Sequence, residues 1–250
     1  MAEEELIRGH AKQALQELTD KKKGWKEKSK DFLWEIVIII VAVNITLWFH
    51  SWSEKRHERE LEKNFLIGTR EDLNIVKKSL EDVIDANQSI SNYYDSICTQ
   101  MNEHRMDKAF VDENSASLSN YFLFFYDNSR FENFKSSGYL RLIENDSLSM
   151  SITALYTVIL PRDVNFDNIL SNERQSSFMT YIGSKAQYDS SGKMIVSNLL
   201  NIPDVKFQIQ WQRGRLSVRK WQKQDTIKQI DAVIAQIDQE LKTRFKYKEE

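Results

Sequence analysis

One hydrophobic run, Phe32 to Trp52, constrains this chain more than any other feature; it reads FLWEIVIIIVAVNITLWFHSW. It has 21 residues, and a helix needs about 20 to cross a hydrocarbon core of roughly 30 Å. No charge falls between Ile36 and Phe49. About 27 Å of helix separates Trp34 from Trp52, so Trp34 at one end and Trp48 and Trp52 at the other can lie in the two headgroup layers as membrane-interface anchors. A buried helix of a soluble protein is the competing reading. It fits poorly, because the run is apolar on all sides while the chain around it is polar. A cleaved signal peptide also fits poorly. Glu3, Glu4, Glu5, Glu17 and Asp20 precede the run, and no small-residue cleavage site follows it. The expectation is an uncleaved signal anchor, with one transmembrane helix at 32–52.

Flanking cations set the expected orientation. Six lysines (Lys21, Lys22, Lys23, Lys26, Lys28, Lys30) lie within the 15 residues before the run, and four cations (Lys55, Arg56, Arg59, Lys63) within the 15 after it. The positive-inside rule then places the tail, residues 1–31, in the cytoplasm and residues 53–250 outside the inner membrane. Residues 2–19 carry a thin apolar stripe, Leu6, Ala14 or Leu15, and Leu18, that fits a short amphipathic helix. The lysines behind it suit anionic headgroups, so membrane lipids are expected partners.

Inside the run, Glu35, Asn44 and Thr46 are polar. At 100° per residue Asn44 lies opposite Glu35, while Ala42 and Thr46 share the Glu35 face. Glu35 near the interface is read either as a snorkelling or protonated carboxylate or as a contact to a partner helix. Asn and Thr side chains hydrogen-bond between membrane helices, at about 0.6–2 kcal/mol each for such groups. Glu35, Asn44 and Thr46 are therefore the candidate intramembrane contacts, to a second copy or to another membrane protein.

The rest of the chain reads as all-α. With only seven Gly and two Pro in 250 residues, it has few helix breakers. Leu73, Val76, Leu80, Val83, Asn87, Ile90, Tyr94, Ile97 and Met101 alternate spacings of three and four, a heptad seam. No Pro interrupts 32–105 and Gly68 is its one Gly, so the membrane helix is expected to continue into a long stalk helix, 53–105, charged and little packed between Ser53 and Lys63. Asn87 would form a polar layer in the seam. A second heptad runs Ile227, Ile230, Ile234, Ile237, Leu241, in a helix expected from Pro203 to about Phe245. The two are expected to pack antiparallel with coiled-coil-like contacts. The cations Lys206, Arg213, Arg215, Arg219, Lys220 and Lys223 would then face the acids Glu71, Asp72, Glu81, Asp82 and Asp85.

Residues 106–202 are expected to form short helices. Tyr121, Phe122, Phe124, Phe125 and Tyr126 read as core rather than a ligand site. Gly138 suits a helix C-cap. Asn145, Asp146 or Ser147 would cap the next helix, which buries Leu148, Ile152, Leu155, Tyr156 and Ile159 until Pro161 ends or kinks it. Residues 172–185 fit a further helix and 187–193 a loop. Cys98, the single cysteine, occupies an apolar helical position and reads as a small buried hydrophobe.

Enzyme chemistry finds no footing. His10, His50, His57 and His104 have no metal-ligand spacing with another ligand. There is no Gly-rich phosphate loop and no nucleophile elbow, and no cofactor is implied. Net charge of −2 gives no electrostatic case for nucleic acid. Trp211 and Trp221 among basic residues read as a partly solvated helix face rather than a nucleic-acid or lipid patch.

Glu35 and Ile36, the apolar run, then Trp52, Glu54 and Arg56 form one pattern. Ser137-Gly138-Tyr139-Leu140-Arg141-Leu142-Ile143 followed by Leu148, Ile152 and Tyr156 form another. Together, over about 32–160, they resemble a family of single-pass Bacteroidetes membrane proteins carrying Gly-Glu-Ile, an apolar run and Trp-Asn-Glu. Trp34 stands for the family Gly and Ser53 for its Asn. The resemblance implies an integral inner-membrane protein with a helical domain and supplies no activity.

The expected architecture is a tail (1–31), a transmembrane helix (32–52) and an extracytoplasmic helical domain (53–250), divided into 53–105, 106–202 and 203–245. The expected function is a membrane-anchored scaffold or accessory subunit that is not an enzyme. The alternative is an extracytoplasmic ligand-sensing module signalling through a cytoplasmic partner, because the tail is short for a catalytic domain.

Overall fold

The computed structural model describes residues 25–247, together with Gly9, Lys12, Leu15 and Gln16. The amphipathic helix expected over 2–19 and the lysines at 21–23 lie largely outside the described residues. The chain divides into two compact units, Met1–Glu60 and Leu61–Glu250.

The architecture is all-α. Helix α1 spans Trp25–Asn102 without a break, so the apolar run and the heptad seam belong to one helix, as expected. Its C-terminus is closed by His104 in the left-handed region, φ 55°, with Arg105 N–H donating to the Gln100 carbonyl. Then come α2 (Lys108–Glu113), α3 (Ser129–Ser136), α4 (Asp146–Ala154), α5 (Leu160–Glu173), α6 (Thr180–Lys185) and α7 (Pro203–Thr243). Strand among the described residues is confined to a hairpin, β1 (Gln187–Tyr188) paired antiparallel with β2 (Met194–Ile195). The expected loop at 187–193 is therefore a hairpin turn.

In the second unit, α1 and α7 run antiparallel in a fixed register. Arg70 pairs with Asp238 at 3.2 Å and Lys77 with Asp231 at 2.6 Å. Lys220 reaches Gln88 at 2.8 Å and Arg213 reaches Asp95 at 2.5 Å. The α7 number falls residue for residue as the α1 number rises. The expected charge pattern is corrected. In these cross-pairs two α1 cations meet α7 acids, and Arg213 alone of the expected α7 cations meets an α1 acid. Asp72 pairs with Arg130 of α3, and Asp82 with Lys78 on its own helix. Packing also begins earlier than Leu73. Phe65 and Leu66 are buried, and Glu62 is held by Arg244 in a bidentate pair at 2.5 and 2.7 Å. Gly68 faces the guanidinium of Arg130 on α3, which lies where a Cβ would be.

Two apolar cores stack along α1. The first joins Leu66, Leu73 and Leu80 to Phe131, Ile152 and Ile237. The second joins Ile90, Tyr94 and Ile97 to Phe178, Val205 and Ile209. Each seam thus packs into a core shared by several helices, not against a single partner seam. Cys98 is buried in the second core, where burial pushes its thiol pKa up.

The middle helices form one rod rather than two. Asn145 caps α4 by accepting a hydrogen bond from Leu148 N–H at 3.1 Å. Beyond α4, a π-helical stretch, Leu155–Ile159, leads directly into α5, and a second, Arg174–Met179, leads into α6. Pro161 is the second residue of α5 and does not end the helix. The wide turn before it disposes of the α-helical hydrogen bond that a proline cannot donate. Gly138, at φ 73°, closes α3 as expected.

Candidate interaction site

In the first unit, the apolar stretch of α1 is exposed along its length. Among the described residues one helix is long and apolar enough to cross a membrane, and none of its most apolar stretch is buried inside the protein. A core helix of a soluble domain would be covered here. Trp34, Trp48 and Trp52 are exposed, with Arg56 over the Trp52 ring at 5.9 Å and Phe49 edge-on to Trp48 at 5.1 Å.

The candidate contact residues lie on this helix as the helical period requires. Asn44 Nδ2 donates to the Ile40 carbonyl at 2.7 Å, and Thr46 Oγ1 donates to the Ala42 carbonyl at 2.9 Å. Thr46 thereby returns its proton to its own helix, a satisfied arrangement in hydrocarbon. Asn44 spends one of its two amide protons in this way and keeps its carbonyl oxygen as an acceptor. Glu35 is half-buried on the opposite face. The three residues are not gathered into one site; they form two separate polar faces of one helix.

A polar layer that sequence reasoning missed separates the two apolar cores of the second unit. Asp167 of α5 accepts from Arg219 Nε at 2.5 Å and Nη2 at 2.8 Å, from Lys223 Nζ at 3.0 Å and from Phe124 N–H at 2.9 Å. Arg219 Nη2 also donates to the Phe122 carbonyl and its guanidinium lies 4.1 Å over the Tyr121 ring. Arg174 donates to the carbonyls of Leu118, Ser117 and Asn120 and to the Tyr94 hydroxyl. Asn87 exchanges hydrogen bonds with the Phe122 backbone at 3.1 and 3.3 Å. The layer therefore clamps the end of a 3-10 turn, Ser115–Leu118, and the extended segment 120–124 that follows it.

Burial pushes the Asp167 carboxyl up in pKa, but the hydrogen bond and charge of Arg219, with Lys223, overcome it and hold the group below the usual carboxylate range. For Lys223 burial prevails over Asp167, and its ammonium pKa is lowered. Burial raises the Tyr94 hydroxyl to about 12 in spite of Arg174. Arg219 Nη1, Asp163 Oδ2 and Thr226 Oγ1 are buried without a hydrogen-bond partner among the described residues. Arg219 lines a crevice of about 20 Å³ with Asn87, Ser91 and Lys223, room for about one water.

The aromatic segment divides by side. Phe124 is buried beside this layer, as the core reading expects, whereas Phe122 and Phe125 are exposed. Phe122 lines a shallow groove against α1 with Ile75, Ser79 and Val83. Among the described residues no group of three or more His, Cys, Asp or Glu is placed to hold a metal ion.

The chain matches no family model, no curated protein and no solved structure.

One signal for the polar layer was available in the sequence. Running the inward period of α7 backward from Ile230 lands on Thr226, Lys223, Arg219 and Leu216. An apolar period interrupted by cations marks a buried charge rather than a solvated face.

Proposed function

We propose that the protein is a single-pass membrane-anchored interaction protein, a scaffold or accessory subunit. The observation that carries this reading is the exposed apolar stretch of α1. It is long enough to span a bilayer and is covered by none of the described residues of its own unit. The resemblance of residues 32–160 to single-pass inner-membrane proteins agrees with it. Six lysines before the span against four cations after it favour a cytoplasmic N-terminus and an extracytoplasmic helical domain. The contacts run through Asn44 and Glu35, one on each face of the helix, and Thr46 serves the helix itself. Intramembrane polar groups of this kind are costly unless paired.

The test is photocrosslinking or cysteine crosslinking from position 44 in native membranes, with mass identification of the adducts. A protein partner or a second copy captured there, and lost in Glu35→Ala or after Asn44→Leu in a probe-shifted variant, supports the reading. Adducts to lipid alone overturn it. Deleting residues 2–24 then separates a sensing module, which loses its output, from a scaffold, which keeps its partner.

A further inference from the structure

The polar layer carries more positive than negative charge. Its buried cations are Arg174, Arg219 and Lys223, and its buried acids are Asp163 and Asp167. Arg174 and Arg219 both lie over the ring of Tyr121, at 5.2 and 4.1 Å from its centroid. Arg174 donates to backbone carbonyls and to the Tyr94 hydroxyl, and no carboxylate is among these partners. A buried charge is costly unless an opposite charge accompanies it. Burial lowers the Lys223 ammonium pKa in spite of Asp167, and the charge of Arg219 lowers it further.

This excess of charge faces the crevice of about 20 Å³ on the seam between α1 and α7. Ile84, Gln88 and Ser91 of α1 line one side of it, and Leu216, Lys220 and Lys223 of α7 the other. Its polar lining consists largely of hydrogen-bond donors. Arg219 also lines it, and Nε and Nη2 of that side chain are taken up by Asp167 and the Phe122 carbonyl. That leaves Nη1, which is buried with no partner among the described residues. Lys223 Nζ donates to Asp167 at 3.0 Å and Lys220 Nζ to Gln88 Oε1 at 2.8 Å. An ammonium carries three protons, so each lysine has protons to spare. Ser91 adds a hydroxyl. The side-chain acceptors at the crevice already hold donors: Asn87 Oδ1 accepts from Phe122 N–H, and Gln88 Oε1 from Lys220.

Such a lining selects an anion over a water molecule. A buried water takes several polar partners and must place its own two protons on acceptors. Here protons converge from four side chains, and the acceptors are engaged. Size then selects among anions. The volume suits one particle about the size of a water molecule, which is too small for phosphate, sulfate or a carboxylate. A halide is a single atom, accepts hydrogen bonds from any direction and brings the one negative charge that the layer lacks. Lys220 is exposed, so the crevice has a mouth through which an ion can enter.

We propose that the crevice between α1 and α7 is a chloride site, in which Arg219 Nη1, Lys223 Nζ, Lys220 Nζ and Ser91 Oγ donate to the ion. The site lies within Leu61–Glu250 and goes beyond the interaction-protein reading, since it does not depend on whether α1 spans a membrane. Bound there, chloride ties α1 to α7 at the level where the two apolar cores part, and the helical domain gains stability as chloride rises.

The test uses the full-length protein in non-ionic detergent, with sodium chloride or sodium gluconate at equal ionic strength. One readout is the melting temperature followed by far-UV circular dichroism. The other is the linewidth of the chloride NMR signal, which broadens when free ion exchanges with bound ion. Chloride at about ten times its dissociation constant is expected to raise the melting temperature by about 3–6 °C over gluconate. The chloride linewidth is expected to exceed that of protein-free buffer and to return to it when bromide is added. Ser91→Leu fills the crevice and leaves the Asp167 ion pair intact; Lys220→Glu sets a negative charge at the exposed mouth. Each is expected to reduce both signals at least fivefold. Equal melting in chloride and gluconate, with no excess linewidth, would mean that water alone enters the crevice and would overturn the proposal. So would an excess linewidth undiminished in Lys220→Glu, which would put the ion elsewhere on the protein. If Ser91→Leu loses helical content, Lys220→Glu carries the decision, because Lys220 is exposed and its hydrogen bond is to Gln88.

Discussion

Asp167 on α5 and Arg219 on α7 form a bidentate ion pair with both side chains buried, Nε to Oδ1 at 2.5 Å and Nη2 to Oδ2 at 2.8 Å. Lys223 joins the same carboxylate at 3.0 Å. Asp167 thus bonds two buried cations, and the buried Asp163 adds its charge near Lys223. Removing one partner from such a group leaves charge uncompensated in a poor dielectric, whereas replacing the whole group by apolar side chains is often neutral or stabilising. Asp167→Ala is expected to destabilise the helical domain by about 3–5 kcal/mol. The triple change Asp167→Leu, Arg219→Met, Lys223→Met is expected to recover most of that loss. Chemical unfolding followed by far-UV circular dichroism measures both. A loss under about 1 kcal/mol for Asp167→Ala would mean the charges are solvated.

The same pair gives the domain an acid limit. The folded carboxyl of Asp167 titrates below its ordinary value of about 3.9. Where the unfolded chain binds more protons than the folded one, stability rises with pH. The Asp167 contribution is therefore complete above the unfolded value and is lost as pH falls toward the lowered folded value. Melting temperature measured from pH 6 to pH 2 should fall along that limb. Asp167→Asn should start less stable and flatten it; an unchanged limb would assign acid unfolding to other carboxylates.

Antiparallel register can be read directly. Lys77→Cys with Asp231→Cys should join within one chain under a short bismaleimide, since the native side chains meet at 2.6 Å. Lys77→Cys with Asp238→Cys should not, because Asp238 lies two turns away, about 10 Å along α7. Removing the Lys77–Asp231 ion pair itself should leave stability nearly unchanged, because both groups are partly exposed. Its value lies in marking register, not in stability.

Leu80 and Ile75 test the two sides of α1. Leu80 is fully buried and Ile75 is 69% exposed. Leu80→Ala should cost about 2–5 kcal/mol through lost burial and the cavity left behind. Ile75→Ala should change stability by no more than about 0.5 kcal/mol. Equal effects would mean that α1 is rotated from the orientation described.

Much of this architecture was legible in the order of residues. The run Phe32–Trp52 is largely apolar, and no folding partner is needed to see its length. The heptads of Leu73–Met101 and Ile227–Leu241 announce helices because a 3.6-residue period is a local property. The caps at Asn145 and Gly138 were readable for the same reason, as each depends on a residue's own backbone preference. Of the two effects expected of Pro161, an end to the helix does not occur, because a proline's effect depends on the turn before it and nothing in the local sequence announces a π-helical turn.

Which charges make up the polar layer was decided by tertiary structure. Arg219 and Lys223 carry the same chemistry as Lys220, yet the first two are buried on Asp167 and the third is exposed. That difference is fixed by which side of α7 the other helices cover, and by the placement of Asp167, 52 residues before Arg219. Trp211 and Trp221, by contrast, were readable as a partly solvated face from the cations around them, and they stay exposed because Val205, Ile209 and Leu216 take the inner face. By itself the sequence determined what each helix is made of and where an apolar helix must find a nonaqueous surrounding. Which side of each helix meets protein, and which charge meets which, depends on contacts between residues distant in the chain, and these exist only in the folded bundle.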